Sequence, residues 1–234
     1  MVKALIAITS YNEKFYENGS RTGVFVVEAL HPYDVFTKGG VEVDFVSETG
    51  TFGWDESSLG PDFLNGRDKE TFEDINSGFI TKISAVKKPS EVKAEYYKIF
   101  FASAAHGAAY DYPRAIALQK LVAQIYANSG VVSAVCHGPA IFDNLKTLGG
   151  RSFIEGKKIT GFTDEGEEIL NVAKIMEQKH MKTMKRVAED NGATYVQPPD
   201  PWGSFCVVDG KLVTGVNPAS AVETAEEALG ISAT

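Results

Sequence analysis

Short apolar segments alternate along the chain with segments whose apolar residues recur at helical spacing. Residues 2–9 form a nearly continuous apolar run, typical of a strand covered on both faces, and residues 41–46 alternate with the period of a strand. Between them, residues 22–35 carry apolar side chains at helical spacing. Because crossovers between parallel strands are right-handed, such a chain forms a mostly parallel sheet with helices on both faces. We therefore predict an α/β fold.

The same alternation continues to the end of the chain. Further strands are predicted at residues 96–103, 131–135 and 158–162, and a β-hairpin that turns at Asp209-Gly210 is predicted at residues 205–214. Helices are predicted at residues 113–128, directly after residue 136, and at residues 165–170, 180–190 and 218–229. Active sites in parallel sheets lie beyond the carboxyl ends of the strands, where we expect Ser10, Ser103 and Cys136.

The length of 234 residues is at the upper end of the range for one domain. With 44% apolar and 23% charged residues, the composition is that of a globular protein with a sizeable core. Glycine, proline and aromatic residues interrupt any regular pattern at about 47–92. We predict a single domain over residues 1–234 that carries this segment as an ordered, irregular insertion near the site.

The net charge of -8 and the scattered basic residues argue against a nucleic-acid partner. The first residues contain only a short apolar run, well below the ~20 apolar residues of a membrane helix, so we expect no membrane association and a cytoplasmic location. Cys136 and Cys206 lie in different local contexts, and a chain with a large core does not need a lone disulfide. Both are interpreted as thiols in a reducing compartment.

Cys136 stands where a predicted strand meets a predicted helix. The segment Ala134-Val-Cys-His-Gly138 has the layout of a nucleophile elbow, with the reactive atom at the apex and a glycine where the helix passes close to the strand. A helix N-terminus would stabilise a thiolate and bind an oxyanion beside it. We therefore predict that Cys136 is the reactive nucleophile.

Each assignment at this turn has a simpler alternative. Most free cysteines are small buried hydrophobic residues, which is how we interpret Cys206, a residue with apolar neighbours in mid-strand. The apical position and the adjacent histidine favour a reactive Cys136. His137 is expected to point away from the core and to exchange a proton near neutral pH, although a histidine that only caps a helix is the alternative.

Five longer strings resemble one known family. They are AVCHGPAIFD, TGVFVVEALHP, VDFVSETG, ITGFTDEGE and LVTGVNPAS. Together they are similar to the DJ-1/PfpI superfamily, in its fungal heat-shock-protein-31-like glyoxalase III branch, over nearly the whole chain. The resemblance implies a flavodoxin-like three-layer sandwich, a homodimer, and conversion of methylglyoxal to D-lactate without glutathione. The thiol chemistry set out below requires no nicotinamide or metal, so we expect no cofactor.

The resemblance also assigns site residues. It makes Cys136 the nucleophile and His137 its partner, and it gives Glu28 as the acid that hydrogen-bonds the sulfur. The acid that completes the triad is Glu167, with Glu168 as the alternative alignment. From the sequence alone, Glu28 could equally lie on a solvated helix face, and Glu167 could belong to an acidic helix start. If Glu28 does face the thiol, we expect it to donate or share its proton, since an ionised carboxylate would raise the thiol pKa.

The chain departs from the family pattern in one place. It has Ala105 where this branch typically has glycine, between Ala104 and the pair His106-Gly107. Glycine allows close backbone approach and positive φ, whereas alanine adds a methyl group and resists positive φ. The predicted substrate-binding residues are therefore Ala105, His106 and Gly107, with His106 either lining the pocket or capping the strand end.

The predicted reaction is that of a lyase. Cys136 adds to the aldehyde, the hemithioacetal loses a proton to His137 or Glu28 to give an enediol, and the resulting thioester is hydrolysed. The alternative function is a stress-responsive holdase chaperone, binding unfolded client proteins, or a redox sensor that uses the same cysteine. A cysteine peptidase is a weaker alternative, because a pocket closed by the insertion would exclude a peptide.

Overall fold

Six strands form the central sheet of the computed structural model, which describes residues 2–233. In chain order they are β1 (Lys3–Ala7), β2 (Glu42–Val46), β3 (Ile99–Ala102), β4 (Val131–Val135), then β7 (Cys206–Asp209) and β8 (Leu212–Gly215). Two shorter strands, β5 (Lys158–Ile159) and β6 (Thr194–Tyr195), form a separate parallel pair. The order across the central sheet is β2-β1-β3-β4-β8-β7. All neighbouring pairs are parallel except β7 and β8, so the predicted mostly parallel sheet is confirmed.

Helices surround this sheet. They are α1 (Val26–Lys38), α2 (Gly66–Glu73), α3 (Gly78–Ser84), α4 (His106–Asp111), α5 (Ile116–Ala127), α6 (Asp164–Ile169), α7 (Ala173–Gln178), α8 (Met184–Asp190) and α9 (Ala221–Ser232). Helices α1 and α9 pack against each other and against the sheet, and α5 packs on β3 and β4. Every residue of β3 and β4 is buried, as expected for central strands covered on both faces. The predicted flavodoxin-like α/β fold is therefore confirmed.

The segment at 47–92 is more regular than its sequence indicates. It contains α2 and α3 as well as 3-10 helices at Glu56–Leu59 and Pro89–Glu91. Helix α2 buries none of its residues and so lacks the apolar stripe from which a helix is predicted. The aromatic side chains that distinguish this segment from a linker pack on one another, with the rings of Trp54 and Phe72 5.1 Å apart.

The helix predicted after Cys136 is much shorter than expected. The structure has a five-residue 3-10 helix at Gly138–Phe142. Asn144 has φ of +61°, which a continuing helix does not allow, and Leu148 is exposed. The spacing of the apolar residues therefore predicts a helix that does not form. Leu145 is buried although it lies in an irregular segment.

Other differences lie at the ends of elements. The predicted strand at 158–162 is reduced to β5 in the small sheet, and the helix expected at 180–190 begins only at Met184. Pro113 lies in a 3-10 helix, Tyr112–Arg114, that separates α4 from α5, and neither α4 nor α7 was predicted. The predicted hairpin at Asp209-Gly210 and the last helix are confirmed. Within residues 2–233, no helix is both long enough and apolar enough to span a membrane.

Candidate active site

Cys136 lies at a sharp turn directly after β4 and has φ of +60°. A left-handed conformation costs a non-glycine residue about 1–3 kcal/mol, so the surroundings must hold it. The Cys136 N–H donates to the carbonyl of Gly215 at 3.0 Å, and its own carbonyl accepts from the Phe162 N–H at 2.9 Å. A Cβ on Gly138 would lie 2.5 Å from the carbonyl oxygen of Ala102, so glycine is required there, as the sequence predicts.

The surroundings of the Cys136 sulfur favour the protonated thiol. The side chain is 4% exposed, and burial raises its pKa well above the usual value, with Glu28 adding to the effect. Burial therefore opposes the thiolate that the sequence predicts at this turn. The five-residue 3-10 helix supplies little dipole, and the desolvation of the sulfur outweighs it. A base beside the thiol is then needed for the sulfur to react.

His137 lies beside the thiol and is suited to accept its proton. Its Nδ1 lies 3.3 Å from the sulfur of Cys136, and its Nε2 lies 2.7 Å from Oε1 of Glu167. His137 is fully buried, so the expectation that it points away from the core is wrong. Burial lowers its pKa, and the nearby Glu167 only partly opposes this. The hydrogen bond to a carboxylate requires a proton on Nε2, which leaves the lone pair of Nδ1 directed at the thiol.

Glu167 is an ionised, buried carboxylate in the first turn of α6. The Thr163 hydroxyl caps this helix by accepting the Gly166 N–H at 2.9 Å. Burial alone would raise the pKa of Glu167, but His137 and His106 outweigh it and lower the value to about 2. Glu167, and not its exposed neighbour Glu168, makes these contacts. The alternative of a merely solvated helix start therefore does not apply to Glu167.

Glu28 approaches the same thiol from α1. It is fully buried, so the alternative of a solvated helix face is wrong. Its Oε2 accepts the Ala104 N–H at 3.2 Å, while Oε1 makes no hydrogen bond of ordinary geometry among the described residues. Burial raises the pKa of Glu28 to about 8, although the Cys136 thiol and the Ala104 N–H oppose the effect. At neutral pH Glu28 is therefore mostly a protonated acid beside the sulfur.

His106, the first residue of α4, lines the cavity above the cysteine. Its Nε2 lies 3.0 Å from Oε2 of Glu167, and its Nδ1 lies 3.1 Å from the Tyr16 hydroxyl. Its ring is stacked on Phe15 and lies 4.3 Å from the ring of His137. Of the two alternatives for this residue, the structure therefore supports the pocket.

The neighbours of His106 differ from expectation in two ways. Ala105 lines the cavity with φ of 179°, extended backbone that any residue adopts, so the alanine causes no strain there. Gly107 does not line the cavity, and its N–H donates to the Thr22 hydroxyl at 2.9 Å. A Cβ at Gly107 would lie 3.0 Å from the Tyr11 carbonyl, so this glycine serves packing. The cavity lining gives no support to the prediction that Gly107 binds substrate.

A cavity of about 760 Å³ leads to these groups. Cys136, His106 and His137 line it together with a largely apolar wall formed by Phe25, Val27, Phe63, Phe162, Leu170 and Trp202. The segment at 47–92 contributes further lining residues, among them Glu56 and Phe63, so it does lie near the site. This is a concave apolar site with a few convergent polar groups, the usual form of a small-molecule site.

His106, His137 and Glu167 offer ligand atoms that lie within 4.8 Å of one another, the spacing of a metal site. Each histidine Nε2 already makes a hydrogen bond to one oxygen of Glu167. A metal ion at this position would replace both hydrogen bonds and remove the base beside Cys136. The three side chains are therefore interpreted as a hydrogen-bonded cluster that accepts and donates protons.

Several residues around the site carry no recognisable signal in the sequence. Tyr16 and Trp202 line the cavity from irregular segments, and Asp55 supports Tyr16 from the insertion. Of the residues expected at strand ends, only Cys136 lines the cavity, since Ser10 accepts the Thr49 N–H and Ser103 is buried. Which of these residues line the cavity can be seen only in the three-dimensional structure.

Cys206 is not the buried core residue that the sequence suggests. It is the first residue of β7, an edge strand, and is half-buried. Burial raises its pKa to about 12. It lies outside the cavity and provides a matched comparison for Cys136.

Comparison with known proteins agrees with this geometry. Residues 21–230 match the model of the DJ-1/PfpI family. Glyoxalase 3 of Candida albicans is 58% identical over 232 residues, which cover 98% of this chain and 98% of that protein. Glutathione-independent glyoxalase HSP31 of Saccharomyces cerevisiae is 58% identical over 226 residues, covering 95% of this chain and 94% of that protein.

The fold also matches that of a solved structure. The crystal structure of glyoxalase III from Candida albicans matches with a TM-score of 0.97 at 57% identity, over 98% of this chain and 97% of that chain. The resemblance expected from the five sequence strings is therefore confirmed.

Proposed function

The chain belongs to the DJ-1/PfpI family, and we propose that it is a glutathione-independent glyoxalase that converts methylglyoxal and water to D-lactate. The observation that carries the proposal is a chain of two contacts. The Cys136 sulfur lies 3.3 Å from Nδ1 of His137, and Nε2 of His137 lies 2.7 Å from Glu167. The protonated Glu28 lies beside the sulfur. A thiol, a base and an acid around one small-molecule cavity are what an internal redox isomerisation of a 2-oxoaldehyde needs.

In the first step the thiol adds to the aldehyde. Nδ1 of His137 accepts the proton of Cys136 as the carbon–sulfur bond forms, and the ionised Glu167 stabilises the imidazolium that results. The aldehyde oxygen then takes up the proton, which gives a hemithioacetal. His137 is neutral again after this step.

In the second step the hemithioacetal carbon loses its hydrogen as a proton. The sequence left His137 and Glu28 open as the base. Because the pKa of Glu28 is raised to about 8, it is mostly protonated at neutral pH, and we assign the base to His137. Glu28 donates its proton to the ketone oxygen, and the product is an enediol still bound to sulfur.

In the third step the imidazolium of His137 returns a proton to the former ketone carbon. The hydroxyl next to sulfur gives its proton to Glu28 and becomes the carbonyl of a lactyl thioester. Water activated by His137 then hydrolyses the thioester and releases lactate and the Cys136 thiol. The atoms balance as methylglyoxal plus water, and the sequence of steps needs no nicotinamide, metal or glutathione.

Two backbone groups are suited to stabilise the oxyanion of the hydrolysis step. The N–H groups of Ala105 and His106 donate to no acceptor among residues 2–233, and both residues line the cavity with Cys136. Free N–H groups beside the reacting carbon stabilise a developing negative charge. We assign the oxyanion to them.

The remaining parts of the proposal concern the setting. We propose a homodimer in the cytoplasm, acting as a lyase on a small dicarbonyl substrate. Two unpaired cysteines support a reducing compartment. The names of the curated relatives refer to glyoxalase activity, which does not favour the alternative of a holdase chaperone or redox sensor.

The test is D-lactate formation from methylglyoxal without glutathione. Purified wild type, Cys136→Ser and the matched control Cys206→Ser are incubated with methylglyoxal, and D- and L-lactate are measured separately. Wild type and Cys206→Ser should form D-lactate, and Cys136→Ser should form none. Absence of lactate with wild type, or retained activity in Cys136→Ser, contradicts the proposal, and aggregation suppression measured in parallel tests the chaperone alternative.

A further inference from the structure

Asp55 is surrounded by hydrogen-bond donors. Its Oδ2 accepts from the hydroxyls of Tyr16 and Thr22, both at 2.8 Å, and its Oδ1 accepts from the N–H and the hydroxyl of Ser57. The Thr22 hydroxyl is itself the acceptor for the Gly107 N–H, so its own hydrogen is free to point at Asp55. An ionised carboxylate accepts all four donors. The hydrogen of the Tyr16 hydroxyl is therefore directed at Asp55.

This orientation determines one nitrogen of His106. With its hydrogen on Asp55, the Tyr16 oxygen can only accept from the Nδ1 of His106, which lies 3.1 Å away. Nδ1 of His106 therefore carries a hydrogen. Burial and Asp55 raise the pKa of Tyr16 well above its usual value, so the hydroxyl stays protonated and the direction of this contact does not change near neutral pH.

The other nitrogen of His106 faces Glu167. Its Nε2 lies 3.0 Å from Oε2 of a carboxylate that the two histidines keep ionised. A hydrogen bond to an ionised carboxylate requires a hydrogen on Nε2 as well. With both nitrogens protonated, His106 is an imidazolium between two acids, Asp55 through Tyr16 on one side and Glu167 on the other.

We propose that Tyr16 and Asp55 are positioning residues that hold His106 as a buried cation, so that Glu167 is shared between two imidazoles and His137 stays neutral with its free Nδ1 on Cys136. The ionisable groups that face His106 are Tyr16, Glu167 and His137, with Asp55 behind Tyr16. The remaining neighbours on its ring are the apolar faces of Phe15 and Phe162.

The arrangement has a consequence for the base. Burial lowers the pKa of His137 most, the positive charge of His106 lowers it further, and Glu167 opposes both. A histidine beside a dedicated carboxylate would be partly protonated near neutral pH and unable to accept the thiol proton. The cation at His106 therefore keeps His137 unprotonated, and able to act as a base, at more acidic pH.

This inference rests on the proposed function, but its first test does not require activity. The chain has four histidines, which makes nitrogen-15 NMR of imidazole-labelled protein tractable. Single His→Gln variants assign the signals. At about pH 7, His106 should have two protonated nitrogens, and His137 one protonated and one bare nitrogen. A bare nitrogen on His106 overturns the proposal, even if wild type forms D-lactate. An imidazolium at His106 in a protein that forms no lactate contradicts only the proposed function.

The second test is Tyr16→Phe, which removes the acceptor of the Nδ1 hydrogen and keeps the ring. His106 should lose its charge, so the pKa of His137 rises and the acidic limb of the kcat/KM profile moves upward by about one pH unit, a roughly ten-fold loss near pH 6. Asp55→Asn should move the limb in the same direction. Tyr126→Phe is the matched control, because the Tyr126 ring packs on Phe153 and neither residue lines the cavity. A Tyr16→Phe protein with lower activity and an unmoved acidic limb overturns the proposal.

Discussion

Glu28 and Glu167 are buried carboxyl groups near the same cysteine, yet one is protonated and the other is ionised. Glu28 is fully buried and Glu167 is 1% exposed, so burial does not distinguish them. Glu28 has one N–H donor and a thiol as partners, and its pKa is raised to about 8. Glu167 has two imidazoles, and its pKa is lowered to about 2.

The difference shows that the partners of a buried acid, and not its depth, decide whether it carries charge. A neutral N–H donor cannot offset the cost of burying a carboxylate, whereas N–H donors from two imidazoles, one of them cationic, can. The result is an acid and an anion around one sulfur, with a neutral base between the anion and the thiol. Pairs of ionisable groups whose environments separate their pKa values are typical of sites that carry out acid–base chemistry.

The largest effect is expected from neutralising the anion. Glu167→Gln keeps the shape of the side chain but removes the charge that orients His137 and stabilises its imidazolium. We expect kcat for D-lactate formation to fall roughly 10³-fold or more, as in triads whose acid is neutralised. Glu168→Gln, one residue along on the exposed surface, is the matched control and should keep wild-type kcat. Similar losses in both variants would remove the distinction between the two glutamates.

The next effect concerns stability, where the two acids should act in opposite pH ranges. Glu28 binds its proton more tightly in the folded state than in the unfolded state. Its stabilising contribution is therefore complete below about pH 4.5 and is lost as pH rises to about 8. Each unit of pKa difference corresponds to about 1.4 kcal/mol, so the loss amounts to a few kcal/mol. For Glu167 the contribution is present above about pH 4.5 and is lost as pH falls toward 2.

Denaturant unfolding of wild type and Glu28→Gln at several pH values measures the first of these effects. The free energy of unfolding of wild type minus that of the variant should decrease between about pH 5 and pH 9, because only wild type carries the titrating group. A difference that stays constant over this range would mean that Glu28 is ionised in the folded protein.

A smaller effect is expected from Glu28→Gln on catalysis. The amide keeps a hydrogen-bond donor near the sulfur but cannot release a proton to the ketone oxygen, so kcat should fall by about 10- to 100-fold at neutral pH. Wild-type kcat should also decline above about pH 8, where Glu28 loses its proton, and the variant should lack this alkaline limb. An alkaline limb of the same pKa in both proteins would assign it to another group.

The smallest effect is expected at Ala105, which follows the one N–H donor to Glu28. Because Ala105 has extended backbone with φ of 179°, glycine is not needed there, and Ala105→Gly should change kcat/KM by less than about two-fold. A large gain in activity would mean that the alanine methyl group restricts the substrate, as the comparison with the family pattern first indicated.

The sequence predicts the parallel sheet and the turn at Cys136 because buried strands and a strand-to-helix junction leave local signatures. The same local reasoning fails after Cys136, where Asn144 ends a helix that apolar spacing predicts. It also cannot find Tyr16 and Asp55, since their roles arise from contacts with His106, 90 residues away from Tyr16 along the chain. Glu28 and Glu167 are assigned from family resemblance, and their different charge states follow only from three-dimensional surroundings. Their catalytic roles stay predictions until the variants are measured.

At Cys136 the residue that suits the backbone differs from the residue that the proposed reaction needs, because the backbone there is left-handed. Glycine adopts this conformation without steric cost, so Cys136→Gly removes strain from the turn at the same time as it removes the reactive sulfur. A cysteine at residue 136 therefore carries a backbone strain in the folded state that glycine would relieve, and it supplies a reactive atom that glycine lacks.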